Sequence, residues 1–278
     1  MRPSLVTRAL AATLGITLAS VPASAQQPTQ FDRVIAAYRS QQTAKPFEPV
    51  SGQAGKDVVW VPTPQALVEK MLDTAKVTPQ DLVIDLGSGD GRTVITAAKR
   101  GARGLGVEFN PDMVKLSQDA AKKAGVADRA TIVQGDLFEA DLSKAQVITM
   151  FLLPSINMKL RPKLLDLKPG TRIVTNSFTM EDWQADSSET IGEDCTSWCT
   201  AHLWIVPAKV EGTWNTDKGA LVLKQSFQML SGTMAGTTIS DAKMNGEEIT
   251  FTAGGTKYSG RVNGTTIKGA NLNATKKS

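Results

Sequence analysis

Histidine is almost missing from this chain of 278 residues: His202 stands alone, and Cys195 and Cys199 are the two cysteines. So sparse a set excludes a Cys/His zinc cluster and a disulfide-dense scaffold. No metal site is expected, and His202 reads as a packed or solvated side chain. Aromatic residues make up 5%, without the aromatic-plus-basic interleaving of a nucleic-acid surface. Beyond the first 25 residues no apolar run is long enough to span a bilayer as a helix. Hydrophobic content of 41% against 21% charged excludes a disordered or collagen-like chain and supplies a sizeable core.

What is present begins with a leader. Arg2 and Arg8 precede an apolar run from Ala9 to Leu18, and Val21-Pro22-Ala23-Ser24-Ala25 offers a small-x-small ending. Residues 1–25 are therefore expected to be a signal peptide cut before Gln26, making the mature protein exported, in the periplasm. Without the two leader arginines, 29 basic residues face 27 acidic ones, a net of +2 rather than the formal +4.

The rest divides by texture. Residues 26–57 are polar and carry Pro46, Pro49, Gly52 and Gly55, an arm with one short helix over Phe31–Tyr38. Residues 58–207 alternate strand-like and helix-like patterns, which predicts an α/β sheet of parallel strands with helices on both faces. Strands are expected at 82–86, 104–108, 130–134, 147–152, 171–175 and 202–206. Helices are expected after Thr63-Pro64, with the Thr63 hydroxyl as cap, and over 92–99, 111–123 and 155–165. From 208 to 278 glycine recurs between short alternating runs such as Ala220-Leu221-Val222-Leu223. That pattern predicts a small antiparallel β module, a meander or barrel. The module holds nine basic and five acidic residues, so a cell-envelope partner is one reading and a solvated basic surface the other.

Chemistry concentrates where strands end. Asp85-Leu86-Gly87-Ser88-Gly89-Asp90-Gly91 closes the first strand and opens a helix. Glycines there let backbone approach a ligand, and the helix start offers free N–H groups. Glu108 ends the second strand, placed to accept hydrogen bonds from ribose hydroxyls, with Asn110 just beyond. Asp136 and Leu137 follow the third, an acceptor for an adenine amino group beside an apolar cover. A dinucleotide fingerprint wants glycine at position 92, but Arg92 stands there, and Asp85 and Asp90 would face a pyrophosphate unfavourably. A nicotinamide-dependent oxidoreductase is thereby disfavoured.

These segments resemble the class I S-adenosylmethionine-dependent methyltransferases in their glycine motif (85–92), ribose motif (Gly106-Val107-Glu108-Phe109-Asn110-Pro111) and adenine motif (Gly135-Asp136-Leu137-Phe138). A closer likeness is to the small lysine methyltransferases of the ATP synthase c-subunit and adenine nucleotide translocase, through Val61-Pro62-Thr63, Gly-Ser-Gly-Asp-Gly-Arg and Glu-x-Asn-Pro. Exported bacterial relatives also resemble Phe151-Leu152-Leu153-Pro154. The resemblance implies S-adenosyl-L-methionine as cofactor, held by Asp85, Gly87, Ser88, Gly89, Asp90, Gly91, Glu108, Asn110, Asp136 and Leu137. It implies methyl transfer to a protein side chain, lysine among them, or to a small molecule. Thr63, Phe151, Leu153, Pro154, Asn176 and Phe178 are expected around the acceptor. No dedicated catalytic base is assigned, because such enzymes act by positioning and desolvation. In an exported chain Cys195 and Cys199 are expected to form a local disulfide. The alternative is a non-catalytic exported protein that keeps the fold for binding a ligand or partner.

Overall fold

The computed structural model describes residues 27–42, 47–192 and 195–277. The leader read at 1–25 lies outside them. Helix α1 (Gln30–Gln42) belongs to a compact unit that ends at Pro46, and all that follows from Phe47 forms a second unit. The Thr29 hydroxyl and N–H both donate to Asp32 in its first turn.

The second unit opens with α2 (Gln65–Thr74) and β1 (Leu82–Leu86), followed by α3 (Arg92–Lys99), β2 (Arg103–Glu108), α4 (Pro111–Lys123) and β3 (Ala130–Gln134). Next come β4 (Val147–Met150), α5 (Pro154–Leu165), β5 (Arg172–Asn176), β6 (Ser187–Thr190) and β7 (Thr200–Ile205). They make one sheet of order β3-β2-β1-β4-β5-β7-β6. Successive strand residues face opposite sides, and the core obeys this. Val83 packs with Leu67, Met71 and Leu72 of α2, whereas Ile84 and Leu86 pack with Ile156, Leu160 and Leu164 of α5. Helices therefore cover both faces. Strand order reverses between β1 and β4, which opens a crevice at the carboxyl ends of those strands.

Three expectations need correction. The sheet is mixed, because β7 runs antiparallel to β5 and β6 to β7; every β6 side chain is exposed, so no apolar alternation announces it. The fourth strand stops at Met150, where the chain turns to start α5 at Pro154. Thr63 does not cap α2: Pro64 is the cap residue, without a side-chain bond, and the Thr63 hydroxyl instead accepts from Asn176 Nδ2 at 3.4 Å.

Beyond Pro207 the chain forms β8 (Gly212–Thr216), β9 (Gly219–Ser226), β10 (Met229–Met234), β11 (Thr237–Asn245), β12 (Glu248–Ala253), β13 (Thr256–Asn263), β14 (Thr266–Lys268) and β15 (Asn273–Lys276). Each pairs antiparallel with the next, and β15 pairs with β8, so the expected module is a closed eight-stranded barrel. Alternation fills it: Leu221 and Leu223 are buried, while Ala220, Val222 and Lys224 face out. Ser-Gly-x-x-x-Gly-Thr-Thr-Ile at 231–239 repeats at 259–267, both times across a hairpin. The first glycine of each copy meets a neighbouring strand closely. A Cβ at Gly232 would stand 1.9 Å from the Val222 carbonyl oxygen, and one at Gly260 would stand 2.7 Å from Ile267. The barrel is tied to the sheet by Phe227, stacked on Trp183 at 5.9 Å, and by Gln228, which donates to the Gln184 carbonyl at 2.8 Å.

Trp214 is wholly buried in the barrel and donates to the Val210 carbonyl at 2.8 Å. Trp214→Ala is expected to lower the unfolding free energy by about 3–5 kcal/mol in urea titration. A loss below about 1 kcal/mol would mean that the barrel interior is not the close-packed core described.

Candidate active site at the strand-order reversal

The turn after β1 has Gly87, Gly89 and Gly91 at φ of 73°, 56° and 78°, a region that side chains with a Cβ adopt at a cost. Close packing adds a second reason at two of them. A Cβ on Gly89 would lie 2.4 Å from Trp60 Nε1, and one on Gly91 would lie 2.8 Å from Ser117 Cβ on α4.

Glu108 ties this turn to the next. Its carboxylate accepts from the Gly89 N–H at 2.8 Å and from the Asn110 N–H at 2.9 Å. Asn110 caps α4, its side-chain oxygen accepting from the Asp112 N–H at 2.9 Å. Asp90 pairs with Arg92, whose guanidinium also donates to the Thr63 carbonyl at 2.8 Å and so holds the entry segment against the turn. Asp136 accepts from the Phe138 N–H at 2.9 Å and from the Lys56 ammonium, which holds its carboxyl below the usual range. Lys56 also lies over the Phe109 ring at 5.0 Å.

A cleft open to solvent runs along these groups. Asp85, Gly87, Ser88, Asp90, Glu108 and Asn110 line it, as do Asp136 and Leu137. Gly89 and Gly91 shape the turn without lining the cavity. Thr63 and Phe151 also line it, but Leu153, Pro154, Asn176 and Phe178 do not. Leu153 is exposed as the cap residue of α5 and Pro154 is its first residue, because the chain leaves the sheet edge there. Asn176 is fully buried beside Thr63, and Phe178 reaches the cavity only through its stack on Phe151. A further wall was not foreseen: residues 53–62, Lys56 and Trp60 among them, line the cavity, although 53–57 read as part of a polar arm.

The family model described as ANTKMT methyltransferase domain matches residues 85–187. A protein-lysine N-methyltransferase of Saccharolobus islandicus is 48% identical over 129 residues, which cover 45% of this chain and 80% of that one. This chain belongs to that methyltransferase family. The adenine nucleotide translocase lysine N-methyltransferase of Mus musculus is 36% identical over 119 residues, covering 42% of this chain and 52% of its own length. The match thus spans about half the length of that relative. A crystal structure titled as an RNA methyltransferase from Salinibacter ruber, in complex with S-adenosyl-L-homocysteine, is 48% identical. It covers 54% of this chain and 96% of that one, with a TM-score of 0.51. The enzyme is an S-adenosylmethionine-dependent methyltransferase.

Asp85 is the unusual acid of the cavity. Burial pushes its carboxyl from 3.8 up to about 7, against the opposing bond donated by the Thr149 hydroxyl at 2.6 Å. The ligand-free native state therefore keeps a proton that the unfolded chain releases between about pH 4 and pH 7, and stability falls as pH rises through that window. Asp85→Asn is expected to leave the melting temperature nearly unchanged at pH 4. At pH 8 it should raise it by several degrees, at about 2–4 °C per kcal/mol for a chain of this size. An equal effect at both pH values would refute the account.

Proposed function

We propose that this methyltransferase acts on lysine side chains of proteins outside the cytosol. The observation that carries the lysine reading is the Saccharolobus relative, named for protein-lysine methylation and covered over most of its length. Export is supported by the leader pattern at 1–25 and by the bond between Cys195 and Cys199, a linkage suited to an oxidising compartment.

The residues present fit the cofactor. The carboxylates of Glu108 and Asp136, with Asp85, Asp90 and the glycine turn, line one cavity together with apolar side chains such as Val58, Trp60, Val107 and Met150. Glu108 would take the ribose hydroxyls, since its carboxylate is already oriented by two backbone N–H groups. Asp136 would take the adenine amino group once Lys56 yields, with Leu137 against the ring. Asp85 and Asp90 would face the cationic end of the ligand. When bound, S-adenosylmethionine supplies a methyl group on a positively charged sulfur, open to in-line displacement by an amine. The chain's own part is to position and to exclude water. Leu152 presents apolar surface beside Gly87, which disfavours a charged amine at that point and helps it shed its proton to solvent before attack. The basic barrel is proposed to hold a cell-envelope partner.

Full-length mature protein, incubated with methyl-labelled cofactor and an envelope extract, is expected to yield methylated lysine on acid hydrolysis of the protein fraction. Label in added RNA instead would replace the acceptor class. No label anywhere, with S-adenosylhomocysteine still bound, would leave the non-catalytic binding role. Glu108→Ala is expected to weaken S-adenosylhomocysteine by about 1–3 kcal/mol in calorimetry, and unchanged affinity would remove its role. An alkaline-phosphatase fusion should be active outside the cytosol; an inactive fusion would overturn export.

A further inference from the structure

Three aromatic side chains meet at the carboxyl edge of the sheet, each from a different strand end. Phe151 follows β4, Phe178 lies two residues beyond β5, and Trp198 lies two residues before β7. Because β7 runs antiparallel to β5, pairing Asn176 with Ala201, its start falls beside the end of β5. The Ser177 N–H donates to the Thr200 carbonyl at 2.7 Å and closes that corner. Phe151 stacks on Phe178 with centroids 6.0 Å apart and planes at 21°, and it meets Trp198 at 6.0 Å and 59°. Phe151 also lines the cofactor cavity, so the cluster continues it outward.

Trp198 is not placed as a core residue. It is 46% exposed, it sits at φ of 55°, and the bond between Cys195 and Cys199 brackets it. A bulky residue held in left-handed backbone on a stapled loop costs free energy that burial does not return. The Ile191 N–H donating to the Cys199 carbonyl at 3.0 Å ties the staple to the strand before it. Trp198 also lies beyond the residues matched by the family model, which end at 187.

We propose that Phe151, Phe178 and Trp198 form an aromatic platform that receives the acceptor side chain as a cation, a lysine ammonium or its methylated forms, and that the Cys195–Cys199 bridge holds Trp198 in place. The identity of the cation rests on the lysine reading above; the platform rests on geometry. Aromatic faces attract ammonium groups, tryptophan most strongly, and the attraction survives methylation of the nitrogen. A lysine stem would lie along the rings with its nitrogen aimed at the cavity that Phe151 lines. The bridge acts as a positioning element: it fixes the loop backbone, and Trp198 alone touches the acceptor from that loop.

The test uses full-length protein saturated with S-adenosylhomocysteine. It is titrated by ligand-observed NMR with Nα-acetyl-Nε-trimethyl-lysine methylamide and with the neutral norleucine counterpart. The cationic probe is expected to bind at least about fivefold more tightly. That preference should disappear in Trp198→Ala, persist in Trp198→Phe and fall severalfold in Cys195→Ser/Cys199→Ser, while calorimetry shows S-adenosylhomocysteine affinity unaltered in all three. Equal binding of the two probes to the unaltered protein, or a preference that survives Trp198→Ala, overturns the platform. A preserved preference with no methyl-lysine in the transfer assay sinks the lysine reading and leaves the platform standing. Methyl-lysine formed without any preference does the reverse.

Discussion

The Glu108 carboxylate, held between the Gly89 and Asn110 N–H groups, is the interaction on which the site depends. It joins the turn after β1 to the turn after β2, and those turns begin α3 and α4. Each carboxylate oxygen satisfies one backbone donor at a helix approach. The same carboxylate lines the cavity. One side chain therefore shapes the glycine turn, sets the approach to α4 and presents negative charge to the ligand. The same economy appears at Asp90, which pairs with Arg92 while Arg92 holds the Thr63 carbonyl.

Around that centre the cavity is closed by elements that a minimal parallel sheet would not supply. Residues 53–63 form the wall opposite the glycine turn. Trp60 packs on Gly89, and Lys56 reaches Asp136 across 80 positions of sequence. On the other side β6 and β7 extend the sheet beyond β5 in antiparallel sense, which returns the chain to the carboxyl edge and places Trp198 beside Phe151. The barrel is attached away from this edge, through Phe227 on Trp183 and Gly246 packed against Gly170. Its own core of Trp214, Leu221, Met244, Ile249 and Phe251 is continuous and buried.

Much of this is legible in the sequence, for definable reasons. β1, β2 and β3 and the helices α3, α4 and α5 fall within one residue of their expected bounds, because each carries a strong local signal. Val-Ile-Asp-Leu before Gly-Ser-Gly, Asn-Pro opening α4 and Leu-Pro opening α5 are such signals. β6 is illegible: Ser-Ser-Glu-Thr is exposed throughout and is a strand by virtue of β7 alone. Thr63 misleads because a hydroxyl before proline looks like a cap, yet Asn176 takes it from a strand more than a hundred positions away.

By itself the sequence determined the glycine turn, the acids at three strand ends, the alternating core of the barrel and hence the methyltransferase family. These are local patterns, set by backbone freedom at glycine and by the periodicity of burial. Tertiary structure alone decided that the polar stretch at 53–57 is a cavity wall rather than an arm, that Leu153 and Pro154 stand aside from the cavity, and that Trp198 joins Phe151 and Phe178. Each of those outcomes depends on strand order and direction, which bring together segments with no mark of each other in their own residues. A side chain's chemistry is written where it stands in the chain; the company it keeps is set by the sheet.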